Sequence, residues 1–73
     1  DSETRKIILS AINELPKRCR EIFIKCKIEG LSYFDVASNL NISVKTVETQ
    51  MSIALRRLRT SLDWLLILMI EFI

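Results

Sequence analysis

The stretch Leu31–Leu58 reads LSYFDVASNLNISVKTVETQMSIALRRL and predicts two helices joined by a tight turn. Ser32 is placed to cap the first of them. Asp35, three residues on, resembles a capping box with Asp in place of Glu. Tyr33, Val36, Ala37 and Leu40 form the expected buried side, with Ala37 small enough for a second helix to approach closely. Asn39 and Asn41 flank Leu40, and asparagine tolerates the left-handed geometry of a turn. Ile42 can plug the corner. Ser43 caps the second helix, in which Val47, Met51, Ala54, Leu55 and Leu58 recur as an inward stripe. Lys45, Thr46, Glu48, Thr49, Gln50, Ser52 and Ile53 face outward. Short polar side chains on one face and an apolar stripe on the other are how a helix-turn-helix places a helix in the DNA major groove.

Two further helices precede this pair. Ser2 or Thr4 can cap the first, with Glu3 near the positive end of its dipole. Ile7, Ile8, Ala11, Ile12 and Leu15 recur at three- and four-residue spacing and give one apolar face. That helix should stop before Pro16, which lacks an amide donor and restricts Leu15. Pro16 suits the first turn of the next helix. Cys19, Ile22, Phe23 and Cys26 line its buried face, with Ile28 close by, and Gly30 ends it as the left-handed C-terminal residue. The expected fold is therefore all-α: a four-helix domain of the helix-turn-helix or winged-helix-like class over residues 1–61. No internal repeat or low-complexity linker interrupts it.

Composition agrees and excludes other chemistry. The chain has 73 residues, enough for one small domain. A hydrophobic content of 49% is well above a disordered composition. Gly and Pro occur once each, and the alternation that marks strands is missing. There is no His, so Ser-His and Cys-His catalysis and histidine-based metal binding are excluded. Cys19 and Cys26 sit roughly 10 Å apart on one helix, too far for a disulfide. Two thiols without other soft ligands make a poor metal site, and small buried apolar residues are the expectation for both. No catalytic residue, metal or cofactor is expected. Nothing suggests an oxidising compartment, no signal peptide is visible, and a cytoplasmic protein is expected. The chain begins at Asp1 without a methionine, as a domain cut from a longer protein would.

The net charge of +2 does not by itself announce nucleic acid, but its distribution is informative. From Ser43 to Thr60 the charges are Lys45, Arg56, Arg57 and Arg59 against Glu48 alone. Phosphate contacts position a protein on DNA and base-edge contacts specify the sequence. Helix N-termini donate free amides to phosphate, and two such ends lie close together, at Ser32 and Ser43. The hydroxyls of Ser32, Tyr33, Ser43 and Thr46 can join them, with the ammonium of Lys45. Lys27 and Arg56 or Arg57 are candidate flanking phosphate contacts. Reading residues should lie on the first two turns of the last helix. Glu48 can accept from a cytosine amino group, Gln50 can bond adenine in a bidentate way, and Thr49 and Ile53 can touch a thymine methyl. Glu48 serves equally as a dipole-stabilising carboxylate.

Taken together, LPKRCREIF followed by EGLSYFDVASNLNISVKTVETQMSIALRRLR resembles region 4 of bacterial sigma-70-like factors, in the extracytoplasmic-function group. The specific pieces are Leu15-Pro16 opening a helix, Glu29-Gly30-Leu31-Ser32-Tyr33 leading into the next, and Ile42-Ser43-Val44-Lys45-Thr46-Val47 entering the last. The resemblance runs from about Ile7 to Arg59. It implies recognition of the promoter −35 element, docking on the flap of the RNA polymerase core, and masking by an anti-sigma factor. It also places the base-reading positions on Glu48, Thr49, Gln50, Ser52 and Ile53. Many relatives carry Arg or Lys where this chain has Glu48, Gln50 and Ile53, and Gly where it has Lys45. Region 2, which opens the −10 element in that family, is absent from this chain.

The sequence is compatible with two other readings. The DNA-binding domain of a LuxR-like response regulator shares the same core and a similar entry to the last helix. Against it stand the Leu-Pro-Lys-Arg-Cys-Arg-Glu opening and the Ala54-Leu55-Arg56-Arg57-Leu58-Arg59 ending. A helical protein-interaction module that reads no DNA would account for the modest charge and for the tail. That tail, residues 62–73, reads LDWLLILMIEFI and is broken only by Asp63 and Glu71. It is too short for the roughly 20 apolar residues of a membrane span. An apolar helical extension is expected, one that folds back over the first two helices, docks into a partner, or self-associates through Leu65–Ile73.

Overall fold

The computed structural model describes residues 2–62, with side chains through residue 60. Four α-helices and one π-helical turn make up the fold: α1 (Ser2–Asn13), α2 (Lys17–Phe23), the π turn (Ile24–Ile28), α3 (Tyr33–Leu40) and α4 (Val44–Leu62). Among the described residues no helix is long and apolar enough to cross a membrane. The predicted tail and its self-association surface, Leu65–Ile73, lie outside the described residues.

Ser2 and Thr4 both lie inside α1 rather than at its cap. The helix tightens at its end, where Glu14 N–H donates to the Ala11 carbonyl and Leu15 N–H to the Ile12 carbonyl, both at 3.1 Å. Such i to i+3 bonds satisfy some of the orphan groups of a helix terminus. Arg20 reaches back from α2 and donates through Nη1 to the Asn13 carbonyl at 2.9 Å, another terminal acceptor satisfied by a cation. Pro16 stands just ahead of α2 with extended ψ 148, as its N-cap rather than as its first helical residue.

The continuous second helix predicted from sequence is broken in register. From Ile24 the bonding opens to i to i+5, with Glu29 N–H on the Ile24 carbonyl at 2.9 Å. The inserted residue rotates the following side chains relative to an α-helix. Cys26 is therefore only half-buried and Ile28 is 60% exposed, while Ile24 packs against the core from its edge. Leu31 N–H then bonds the Lys25 carbonyl at 3.0 Å across Gly30, whose φ of +74 is the left-handed stop expected there.

The core draws on every α-helix. Ile22, Val36, Val47, Met51 and Leu58 are its largest fully enclosed side chains, with Ala11, Ile12, Leu15, Cys19, Phe23, Ala37 and Ala54 around them. α4 is the central element, since α1, α2 and α3 all pack on it. Its buried positions 47, 51, 54 and 58 follow the 4, 3, 4 spacing of a single helical stripe, and Leu55 is half-buried at its edge. On α1 the expected face is narrower than predicted. Ala11, Ile12 and Leu15 are buried and Ile8 is partly so, but Ile7 is exposed. Ile7 sits one residue off the line through Ile8, Ala11 and Leu15, beyond the part of α1 that α4 covers. Tyr33 is likewise exposed rather than buried, because Val36 and Ala37 alone take the inward side of the short α3.

One polar tie crosses the core. The Cys19 thiol donates to the Gln50 carbonyl of α4 at 3.5 Å. Burial raises the thiol above its ordinary pKa, against a smaller opposing pull from Arg57. The thiol thus stays protonated and can donate.

Candidate nucleic-acid interface

The two helices of the predicted motif begin on side-chain caps. Asp35 N–H donates to Ser32 Oγ at 3.0 Å, and Thr46 N–H donates to Ser43 Oγ at 3.0 Å. Between them Asn41 holds φ 58, the left-handed corner. Ile42 N–H donates to the Ala37 carbonyl at 2.9 Å, and the Ile42 side chain packs against the core as the predicted corner plug. Serine at both caps, asparagine at the turn and alanine at the crossing thus set the angle at which α4 meets α3.

The caps leave protons for a ligand. Ser32 Oγ accepts from the backbone, and its hydroxyl hydrogen remains available. Ser43 Oγ and Thr46 Oγ1 lie 2.9 Å apart and share one hydroxyl proton, which leaves the second free to point outward. The two helix ends differ electrostatically. The first turn of α3 contains Asp35, whereas the first turn of α4 contains no acid and includes Lys45. The α4 end is the better anion site.

Opposite the buried stripe, Lys45, Thr49, Ser52 and Arg56 repeat the same 4, 3, 4 spacing and are all exposed. They form the outermost line of α4. From Lys45 to Ser52 this line is about 10 Å long at 1.5 Å per residue, or roughly three base-pair steps. Arg56 lies about 6 Å further along. Thr49 and Ser52 are therefore central, and Lys45 and Arg56 stand at the two ends.

The remaining sequence candidates flank this line. Glu48 is exposed on the side of α3, close enough that its charge helps to raise the Tyr33 hydroxyl pKa, after burial and Cys26. Tyr33 is 36% exposed and, with its pKa raised, remains a phenol able to donate. Gln50 is only half-exposed and turns toward α2, where its carbonyl takes the Cys19 bond. Ile53 is also half-buried and packs against the core edge beside Ala11 and Leu15, so its expected outward orientation holds only in part. Thr46, Arg57 and Lys27 are exposed. Arg57 lies on the α2 side of α4, near enough to Cys19 to influence it, and shares a cleft with Arg56 and Glu14.

The sequence places Lys45 and Arg56 among the candidate phosphate contacts, and the structure sets them on one exposed line with Thr49 and Ser52. The spacing itself carried that signal. Residues 5–58 match the family model described as Sigma-70, region 4. No curated protein and no solved structure gives a significant match.

Proposed function

The chain belongs to the sigma-70 region 4 family, and on that premise we propose that it recognises the −35 element of promoters as part of a sigma factor of the extracytoplasmic-function group. The observation that carries this is the exposed line Lys45, Thr49, Ser52 and Arg56 on a helix whose opposite face is wholly buried. Thr49 and Ser52 take the centre of the base-reading face. Glu48, Gln50 and Ile53 read from its margins. Ser32, Tyr33, Ser43, Lys45 and Thr46 hold phosphates around the two helix N-termini, and Lys27, Arg56 and Arg57 hold phosphates further out. No step here is enzymatic. The domain positions a polymerase and performs no chemistry of its own.

The modest net charge of +2 adds a constraint. Few phosphate contacts mean few released counterions and weak binding at physiological salt. The domain therefore acts while carried by the polymerase core, through its flap, where tethering supplies effective concentration in place of affinity. An anti-sigma factor that covers the same surface would silence it. A cytoplasmic setting follows from this role. The family match weighs against the response-regulator reading. The experiment is transcription from a randomised promoter library with the full-length protein and its own polymerase. Enrichment confined to one short upstream block supports the proposal. Promoter use that is blind to that block refutes it.

A further inference from the structure

The π turn has a second effect, in a groove to which α4 contributes no residue. By rotating Ile28 outward it opens a groove of about 220 Å³ between α1 and the end of the second helical segment. Leu9, Ile12, Ile24 and Ile28 line it, with Asn13 and Arg20 at one end. Leu9 is 50% exposed and Ile28 60%. The volume is below the roughly 300–1,000 Å³ of small-molecule sites and suits a few apolar side chains. At its polar end Arg20 Nη1 donates to the Asn13 carbonyl. A cover laid over Leu9, Ile12, Ile24 and Ile28 meets no side-chain hydrogen-bonding group.

We propose that the apolar C-terminal segment of the same chain, residues 63–73, covers this groove. Three observations select that occupant. The segment, DWLLILMIEFI, is too apolar to stay wet. Its point of departure is close: α4 is described up to Leu62, and Thr60 shares a cleft with Ala11 and Glu14 on the opposite flank of α1. Reaching the groove means crossing one helix, about 10–12 Å wide, whereas eleven residues extend to roughly 36 Å. Charge agrees as well. The segment's only charges are Asp63 and Glu71, and the groove's only charged residue is Arg20. The alternative cleft beside Thr60 is bordered by Glu14, Arg56 and Arg57. Leucine and isoleucine laid there would desolvate three charges, against the single charge of Arg20 at one end of the α1 groove.

Trp64 is the only tryptophan in the chain and reports on the segment directly. The test measures acrylamide quenching of Trp64 in the 73-residue chain, in Leu9→Asp, in Ile28→Asp and in the milder Ile28→Ser. Ile7→Asp serves as control, since Ile7 is an exposed apolar residue of α1 outside the groove. Circular dichroism confirms that each variant stays helical, and because all the altered side chains are exposed, at least one groove variant should. The expected result is strong protection in the parent chain, unchanged on dilution, with a several-fold rise in quenching in the groove variants and none in Ile7→Asp. Free quenching of the parent overturns the proposal. So does equal protection in the groove variants, or a rise in Ile7→Asp as large as theirs. Protection that vanishes on dilution also overturns it and identifies a second copy as the occupant. None of these outcomes depends on DNA reading.

Discussion

Ser43 is where stability and DNA binding part company, and three substitutions there separate them. Its Oγ accepts the Thr46 amide at 3.0 Å and exchanges a hydroxyl bond with Thr46 Oγ1 at 2.9 Å. Ser43→Ala removes both. Loss of an N-cap hydroxyl costs about 0.5–2 kcal/mol. The lower half of that range applies, because Thr46 is exposed and water replaces the lost hydroxyl partner. About 1 kcal/mol is expected, a sizeable part of the roughly 4–11 kcal/mol available to a chain of this length. It corresponds to a fall in Tm of roughly 4–8 °C. Ser43→Asp keeps a good cap and favours the helix dipole, so its melting should match or exceed the parent's. The same carboxylate would repel a phosphate at the proposed site, so DNA affinity should fall. Ser43→Gly should cost only a few tenths of a kcal/mol. Thermal melting by circular dichroism and fluorescence-anisotropy titration of promoter DNA measure the two effects. If Ser43→Ala melts with the parent, the hydroxyl is not the cap. If Ser43→Asp binds DNA as the parent does, the start of α4 does not face phosphate.

Met51→Ala empties a fully enclosed position on α4 and should cost about 2–5 kcal/mol, seen as a lowered urea midpoint. Gln50→Ala should relax preference at one base position by roughly 1–3 kcal/mol, whereas Arg56→Ala should weaken all sequences alike and reduce the salt slope by about one; binding titrations at several salt concentrations distinguish the two. Burial holds the Cys19 and Cys26 thiols and the Tyr33 phenol above their ordinary pKa values. For an acid whose folded pKa is raised, stability is complete below the unfolded pKa and is lost as pH rises through the window up to the folded value. Urea midpoints should therefore fall on the alkaline side, and the fall should be shallower in Cys19→Ala. A disulfide reagent at neutral pH should modify half-buried Cys26 before the enclosed Cys19.

Much of the motif was legible because its local chemistry admits few alternatives. Gly30 at positive φ, Asn41 in the left-handed corner and serine at both caps each do what those residue types do best. The inward stripe of α4 was legible for the same reason, as a 4, 3, 4 repeat over several turns. The π turn was not. IKCKI contains neither Gly nor Pro, and its i to i+5 register is a property of how the segment packs, not of the residues in it. Cys26 and Ile28 consequently sit further out than helical periodicity places them. Ile7 and Tyr33 show a second limit. Periodicity finds the direction of an apolar face, but its width depends on how much of a helix its neighbours cover. Among the residues proposed to read bases, spacing alone leaves Gln50 and Ile53 equal to Thr49, and packing against α1 and α2 distinguishes them.

The π turn also bears on how this chain can change length. A helix that carries one residue more than its hydrogen-bond ladder needs holds a spare residue. Deleting exposed Lys27 would let the ladder close as an ordinary α-helix and bring Gly30 to Ser32 back by one position. Insertion at the same place has no such outlet. The junction ahead of the helix-turn-helix pair is thus asymmetric, tolerant of a one-residue loss and strained by a one-residue gain.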